Sequence, residues 1–196
     1  MKIKINNESK LFGGDFFDNS NLDDLEIHSL VKPNSKTLKE VIPLLKKETK
    51  EWIYIFDIDE KKQIARFKGA ENYVNPPEEQ LLRMRDKVIL HNHPQDLSFS
   101  LADIQAITQY NAKKIIVITP KYTYIAERNG KDWSVDLNSK EDKDLLDEVI
   151  AITENMLIKD LQMGIIDYTQ KIEDKTHHIW KDFFKLKNRL PAKVNN

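Results

Sequence analysis

Residues 87–94 read KVILHNHP, and this stretch indicates both a central strand of the fold and a candidate metal site at its end. Its first four residues are apolar enough for a buried strand. Because side chains alternate along a strand, His91 and His93 project to the same side, whereas Asn92 points away. Pro94 cannot continue a ladder of backbone hydrogen bonds, so the chain leaves the sheet beside the two imidazoles. One metal ion can therefore reach both rings.

A carboxylate follows the histidine pair at short range. Asp103 lies ten residues after His93, in the first turn of a helix that we predict to begin at Ser100. Two histidines and one carboxylate form a three-ligand set for catalytic zinc, in which the fourth tetrahedral position is left for water. Ser100 and Asp103 also fit an ordinary capping pattern, with serine at the cap and an acid at the third position. A zinc site at His91, His93 and Asp103 and a plain helix cap are the two interpretations of this spacing.

The composition limits the classes of protein and of site. The chain has 196 residues, of which 40% are hydrophobic and 32% charged, which is enough for one core with added helices. It contains no cysteine, so a metal site must use histidine and carboxylate ligands, and the lack of thiols suits a reducing compartment. The formal net charge of -1 provides no overall attraction to nucleic acid. We therefore do not expect nucleic acid as a partner.

Long apolar stretches are missing from the sequence. Residues 1–8 lack the apolar core of a signal peptide, and no later stretch approaches the roughly 18 apolar residues that span a bilayer. We therefore expect a cytoplasmic location and no membrane partner.

Hydrophobic periodicity predicts an α+β fold in which helices flank a mixed β-sheet. Helices are predicted at 35–47, 78–85 and 100–110, in a long segment from 139 that is weakened near Gly164, and around 178–190. Strands are predicted at 52–58, 63–67, 87–90, 114–119 and 122–127. Thr37 and Glu40 form a capping box for the first helix, and Pro43 is a possible local defect within it.

The predicted elements divide the chain into three parts. Residues 1–48 form a lead-in and the first helix, residues 49–138 form the metal-binding core, and residues 139–196 form a helical extension packed on that core. The remaining histidines are predicted to be structural. His28 has no partner in sequence, and the adjacent His177 and His178 would point about 100° apart on a helix and could not bind one metal together.

The HNHP and SLAD motifs, at 91–94 and 100–103, together resemble the His-x-His-Pro…Ser-x-x-Asp signature of the JAB/JAMM metalloprotease superfamily. The residues in these motifs are most similar to those of the RadC-like and phage-associated bacterial members of the superfamily. The resemblance covers roughly residues 49 to 128 and implies a cytidine-deaminase-like architecture. Five residues separate Pro94 from Ser100, one fewer than the commoner gap in the family.

The resemblance also implies roles for individual residues. The family has an upstream glutamate that faces the metal, and Glu51 occupies the matching position just before a predicted strand, with Glu48 as the nearest alternative. Glu51 could also be a solvated strand end. In the implied mechanism Glu51 is the general base for a water on Zn²⁺, and Ser100 donates a hydrogen bond to the oxyanion.

Three functional hypotheses follow from these patterns. The first is a zinc-dependent hydrolase that cleaves a peptide, isopeptide or related amide bond in a protein or peptide substrate. The second is a catalytically idle JAB-fold module for interaction or phage assembly, against which the intact ligand set argues. The third is a RadC-like protein associated with DNA processing, which the near-neutral charge disfavours. The short connections lack the inserted loops of deubiquitinases, so we do not expect ubiquitin as the substrate.

Overall fold

One six-stranded sheet forms the centre of the fold. The computed structural model describes residues 28–187, apart from the side chains of residues 170–174. The strand order is β1-β3-β2-β4-β5-β6, in which β4 and β5 are parallel and all other neighbours are antiparallel. The strands are Leu30–Val31 (β1), Trp52–Phe56 (β2), Gln63–Lys68 (β3), Val88–Asn92 (β4), Lys114–Ile118 (β5) and Thr123–Glu127 (β6). The predicted α+β class with a mixed sheet is confirmed.

Helices cover both faces of this sheet. The α-helices of the described residues are Leu38–Leu45 (α1), Glu78–Leu81 (α2), Leu101–Gln109 (α3), Lys140–Gln162 (α4) and Tyr168–Lys187 (α5), and a 3-10 turn at Leu82–Met84 follows α2. Helix α1 begins at the predicted capping box and continues through Pro43. Helix α3 begins at Ser100, whose side chain accepts a hydrogen bond from the backbone N–H of Asp103.

Alternation along the strands produces two apolar clusters, one on each face. In β2, Tyr54 and Phe56 point towards α1 and join its buried residues. Ile53 and Ile55 point to the opposite face and pack in the cluster to which α3, α4 and α5 contribute. The fold is thus three layers deep, with α1 on one side of the sheet and these three helices on the other.

The C-terminal helices differ from the prediction in their boundaries. The long helix ends at Gln162 and does not continue with a weak point, because Gly164 adopts a φ of +69° that turns the chain. Ile165, the next residue, is exposed. Helix α5 begins at Tyr168, ten residues before the predicted start, and the predicted end at residue 190 lies outside the described residues. Most of the predicted lead-in, residues 1–27, also lies outside them.

The C-terminal extension shares the main core with the predicted metal-binding core. Ile179, Trp180 and Phe183 of α5 are fully buried in the same cluster as Ile104 and Ile107 of α3. Within the described part of the chain, no helix has the length and apolar character needed to cross a membrane. Helix α5 therefore packs over α3, close to the end of β4 that carries the histidine pair.

Candidate metal centre

Three elements bring the predicted site residues together. Strands β2 and β4 are antiparallel with Ile53 opposite His91, so Glu51, just before β2, lies on the same face beside the histidines. The first turn of α3 places Asp103 over the same face. Glu51, His91, His93 and Asp103 are all buried. A buried cluster of this kind is costly unless its members bind one another or a cation.

The two imidazoles and the two carboxylates converge through specific atoms. The Nε2 atom of His91 lies 3.4 Å from Oε2 of Glu51 and 3.7 Å from Oδ1 of Asp103. The Nε2 atom of His93 lies 3.3 Å from Oδ2 of Asp103. The two rings are nearly perpendicular, with centroids 4.7 Å apart. Both Nε2 atoms therefore face the space between the carboxylates.

Backbone carbonyls fix the orientation of both rings. Nδ1 of His91 lies 2.7 Å from the carbonyl oxygen of Trp52, and Nδ1 of His93 lies 3.0 Å from that of Leu97. Because a carbonyl only accepts, each Nδ1 must carry the proton and donate it. In the neutral ring this leaves the lone pair on Nε2, which is the tautomer that a metal-binding histidine uses.

The carboxylates determine the charge of the group. Burial opposes protonation of His93, but the carboxylate of Asp103, with Glu51 and the Leu97 carbonyl, raises the pKa of His93 to about 9. Burial also opposes ionisation of Asp103, yet both imidazoles and the backbone N–H of Ser100 hold the pKa of Asp103 well below its ordinary value. Two carboxylates thus stabilise positive charge at this point, whether it is a proton or a metal ion.

The structure shows which residues could hold a metal ion. Glu51, His91 and His93 each offer one donor atom, and these atoms all lie within 4.8 Å of one another. The predicted set contains Asp103 in place of Glu51. Asp103 borders the same space, but its Oδ2 accepts hydrogen bonds from the backbone N–H and the hydroxyl of Ser100, each at 2.8 Å. The roles of Asp103 as ligand and Glu51 as base stay predictions.

Hydrogen bonds on both sides hold the backbone of Glu51 in place. The side-chain amide of the buried Asn92 accepts from the N–H of Trp52 at 2.8 Å and donates to the carbonyl of Lys50 at 3.0 Å. On the other side, the N–H of Glu51 donates to the carbonyl of Ala70 at 2.7 Å. As predicted from alternation, Asn92 points away from the histidines, and it braces the segment that carries Glu51.

A cleft gives access to the cluster. It has a volume of about 180 Å³, and Glu51, His93 and Ser100 lie on its wall. Ser98 also lines it and is buried, and its hydroxyl has no hydrogen-bond partner among residues 28–187. Thr176 of α5 completes one side, and its hydroxyl accepts from the N–H of Ser98 at 3.3 Å. Sequence reasoning missed Ser98 and Thr176, because no local pattern indicates a contact between residues so far apart.

The other histidines lie elsewhere, and the described residues contain no second group that could hold a metal. The backbone N–H of His28 donates to the carbonyl of Asn75, and Nδ1 of His28 accepts from the backbone N–H of Asn75. The ring of His28 also contacts Tyr73 edge-on. His177 is exposed on α5 and packs against Tyr124, with ring centroids 5.3 Å apart. The structural roles expected for these histidines stay predictions.

Comparisons with protein-family models, with curated proteins and with solved structures found no match for this chain. The interpretation of the centre therefore depends on the chemistry of its own residues. The two oriented imidazoles and the buried carboxylate of Glu51 form a group that could hold a metal ion.

Proposed function

We propose that this chain is a zinc-dependent hydrolase of peptide, isopeptide or related amide bonds, with a JAB/JAMM architecture. One observation carries the proposal. His91 and His93 direct their Nε2 atoms at one space that Glu51 and Asp103 also border, and this space opens onto a cleft. Two histidines, one carboxylate ligand and a second carboxylate for proton transfer are the parts that this reaction requires.

Zn²⁺ bound here would act as a Lewis acid and bring the pKa of a coordinated water to about 7. Glu51 is buried and lines the cleft, so its carboxylate can accept the proton of the attacking water and pass it to the departing amine. Asp103 and the backbone carbonyls that accept from His91 and His93 keep both rings in place. Glu51 would therefore hold the proton inside the cleft from the attack of the water until the amine departs.

Ser100 has a second role in this proposal. Its hydroxyl donates to Asp103 at 2.8 Å, but Ser100 is exposed and lines the cleft. Rotation about its χ1 angle would turn the hydroxyl from Asp103 to the oxyanion of a bound substrate, where such a donor is worth about 3 kcal/mol.

Metal analysis and one isosteric variant test the proposal. Protein prepared without a histidine tag should contain about one zinc per chain, which a chelator removes and which His91→Ala and His93→Ala abolish. Glu51→Gln keeps its size but cannot accept a proton, so zinc should remain while cleavage of a peptide library falls roughly a hundredfold. Glu48→Gln is the matched control and should change neither quantity.

The outcomes separate the possible roles. If Glu51→Gln loses zinc, Glu51 is a ligand and the set of His91, His93 and Asp103 is wrong. If it keeps most of the activity, the base is another residue. Stoichiometric zinc without cleavage of any amide substrate would contradict the hydrolase proposal and favour an interaction module.

A further inference from the structure

The edge of the sheet at β6 is open to another strand. Within residues 28–187, β6 pairs with β5 alone, so a row of its backbone N–H and C=O groups faces away from the sheet. Ile125, in the middle of β6, is 57% exposed, and Tyr122 just before it is also exposed. An edge of this kind is a template for an extended polypeptide.

A cavity of about 470 Å³ lies beside this edge, between β6, residues 128–134 and α5. The buried rings of Phe99 and Trp180 and the half-buried rings of Trp133 and Phe184 line it. The centroids of Trp133 and Phe184 are 5.8 Å apart. This volume is within the range of roughly 300–1,000 Å³ that is usual for ligand sites, so the cavity can hold a large side chain.

The lining rings select for an apolar or aromatic group. The indole N–H of Trp133 donates to the carbonyl of Ala112 at 2.7 Å, and that of Trp180 donates to the carbonyl of Phe99 at 2.8 Å. Both donors are therefore already used inside the protein. What the rings offer to a ligand is their faces and edges, which pack best with another aromatic ring.

The charges around the cavity select for an acid. Four charged side chains lie on its wall, and three of them have partners within the described residues. Glu127 pairs with Lys113 and Arg128 pairs with Asp86. Asp132 accepts a hydrogen bond from the side-chain amide of Asn111. The fourth, Lys181, is exposed on α5 and has no ion pair with another described residue. A carboxylate beside the bound aromatic group would complement Lys181.

The cavity and the cleft at the candidate metal centre share one wall residue. Phe99 lines both spaces, and Ser100, the next residue, lines the cleft. One extended polypeptide can therefore contact β6 and also reach the histidine cluster. Together with the unpaired edge of β6, the nearness of the two spaces favours a protein chain as the ligand.

We propose that the β6 edge and the aromatic cavity bind an extended segment of the protein substrate. The segment adds as a strand beside β6, places an aromatic side chain in the cavity, and places an acidic side chain beside Lys181. The inference rests on the proposed function only in that the bound protein is the substrate, because binding at this edge requires no metal ion.

Peptide binding to the full-length, metal-free protein tests the site. The probe is a short labelled peptide of alternating Thr and Val with a central Phe-Thr-Glu sequence, in which Phe and Glu lie on the same face of the added strand, and its binding is measured by fluorescence anisotropy. Replacement of its Phe by Ala should weaken binding about tenfold. N-methylation of the amides that face β6 should abolish binding, whereas methylation of the intervening amides should not.

Two matched variants test the charge. Lys181→Glu should weaken binding of the Phe-Thr-Glu peptide about fivefold and strengthen binding of a Phe-Thr-Lys peptide, because residue 181 then carries the opposite charge. Lys185→Glu, on the same helix but outside the cavity, should change neither. Both positions are exposed, so both variants should fold.

Several results would overturn the inference. These are absence of binding, equal binding of the Phe and Ala peptides, and equal effects of the two lysine variants. Tighter binding of peptides that copy residues 1–27 or 188–196 would assign the edge to the chain's own termini and would also overturn it. Zinc loss or lack of cleavage bears on the proposed function alone, because the peptide assay uses neither.

Discussion

Gly69 lies where the segment that pairs with Glu51 passes very close to the backbone of Tyr73 and Val74. Its N–H donates to the carbonyl of Glu51 at 2.7 Å, and a Cβ at this position would lie 2.2 Å from the carbonyl oxygen of Tyr73. Gly69→Ala must therefore displace the backbone, and we expect the free energy of unfolding to fall by about 2 kcal/mol in urea titrations. In Gly130→Ala the new Cβ would be 3.9 Å from its nearest neighbour, so this control should stay within about 0.5 kcal/mol of wild type. Equal effects would contradict the close approach.

The pKa of His93 makes the stability of the metal-free protein depend on pH. Despite burial, Asp103 raises this pKa from about 6.5 to about 9. A raised pKa in the folded state gives a contribution that is fully present below pH 6.5 and is lost as the pH rises through about 9. Chemical unfolding at about pH 6 and about pH 9.5 should therefore show lower stability at the higher pH. The slope should be smaller in His93→Gln, and an unchanged slope would contradict this assignment.

Zinc affinity should change in the opposite sense over the same interval. A metal ion needs the neutral ring of His93, so it must displace the proton that Asp103 stabilises. Calorimetry should therefore show tighter zinc binding and less proton release as the pH approaches 9. Affinity that is independent of pH from 6.5 to 9 would show that His93 is neutral in the metal-free protein.

At the scale of elements, α5 positions the segment that carries the cleft. Trp180 is fully buried and donates to the carbonyl of Phe99, which lies between Ser98 and Ser100. Trp180→Phe leaves that carbonyl without its donor, so we expect a loss of about 1–3 kcal/mol in stability and weaker zinc binding. Trp133→Phe is the matched control, because it removes an equivalent indole donor to Ala112. The control should lose stability but keep zinc affinity, and a similar loss of affinity in both variants would contradict the positioning role.

Local sequence signals predicted the elements that carry the site. Alternation placed His91 and His93 on one face of a strand, and the serine-aspartate spacing located the start of α3 at Ser100. These signals depend only on residues that are close together in sequence, so they can be recognised without the structure. The start of α5 was missed because residues 168–177 are mainly polar and show little apolar periodicity. Contacts across the fold, such as that of Thr176 with Ser98, leave no such pattern.

At the scale of the whole molecule, the predicted helical extension from residue 139 contributes side chains to the same apolar core as the sheet. Leu146 and Val149 of α4 and Ile179, Trp180 and Phe183 of α5 are buried in the cluster that lies on the sheet. Burial of a large apolar side chain contributes about 1.5–3 kcal/mol, so these residues together contribute on the order of 10 kcal/mol. That is comparable with the total stability of a typical domain, about 5–15 kcal/mol. The predicted division into residues 49–138 and an extension packed on them can therefore be tested by removing the extension.

We expect a chain that ends at residue 138 to lack a cooperative thermal transition and stoichiometric zinc binding, because it exposes the apolar face of α3, the helix that carries Asp103. A chain that ends at residue 187 keeps all the described contacts of α4 and α5, and it should unfold in a single transition like the full-length protein. Calorimetry and zinc analysis of the two chains, side by side, measure the difference. If the shorter chain melts sharply and binds one zinc, residues 49–138 fold independently, and α5 only stabilises a site that forms without it.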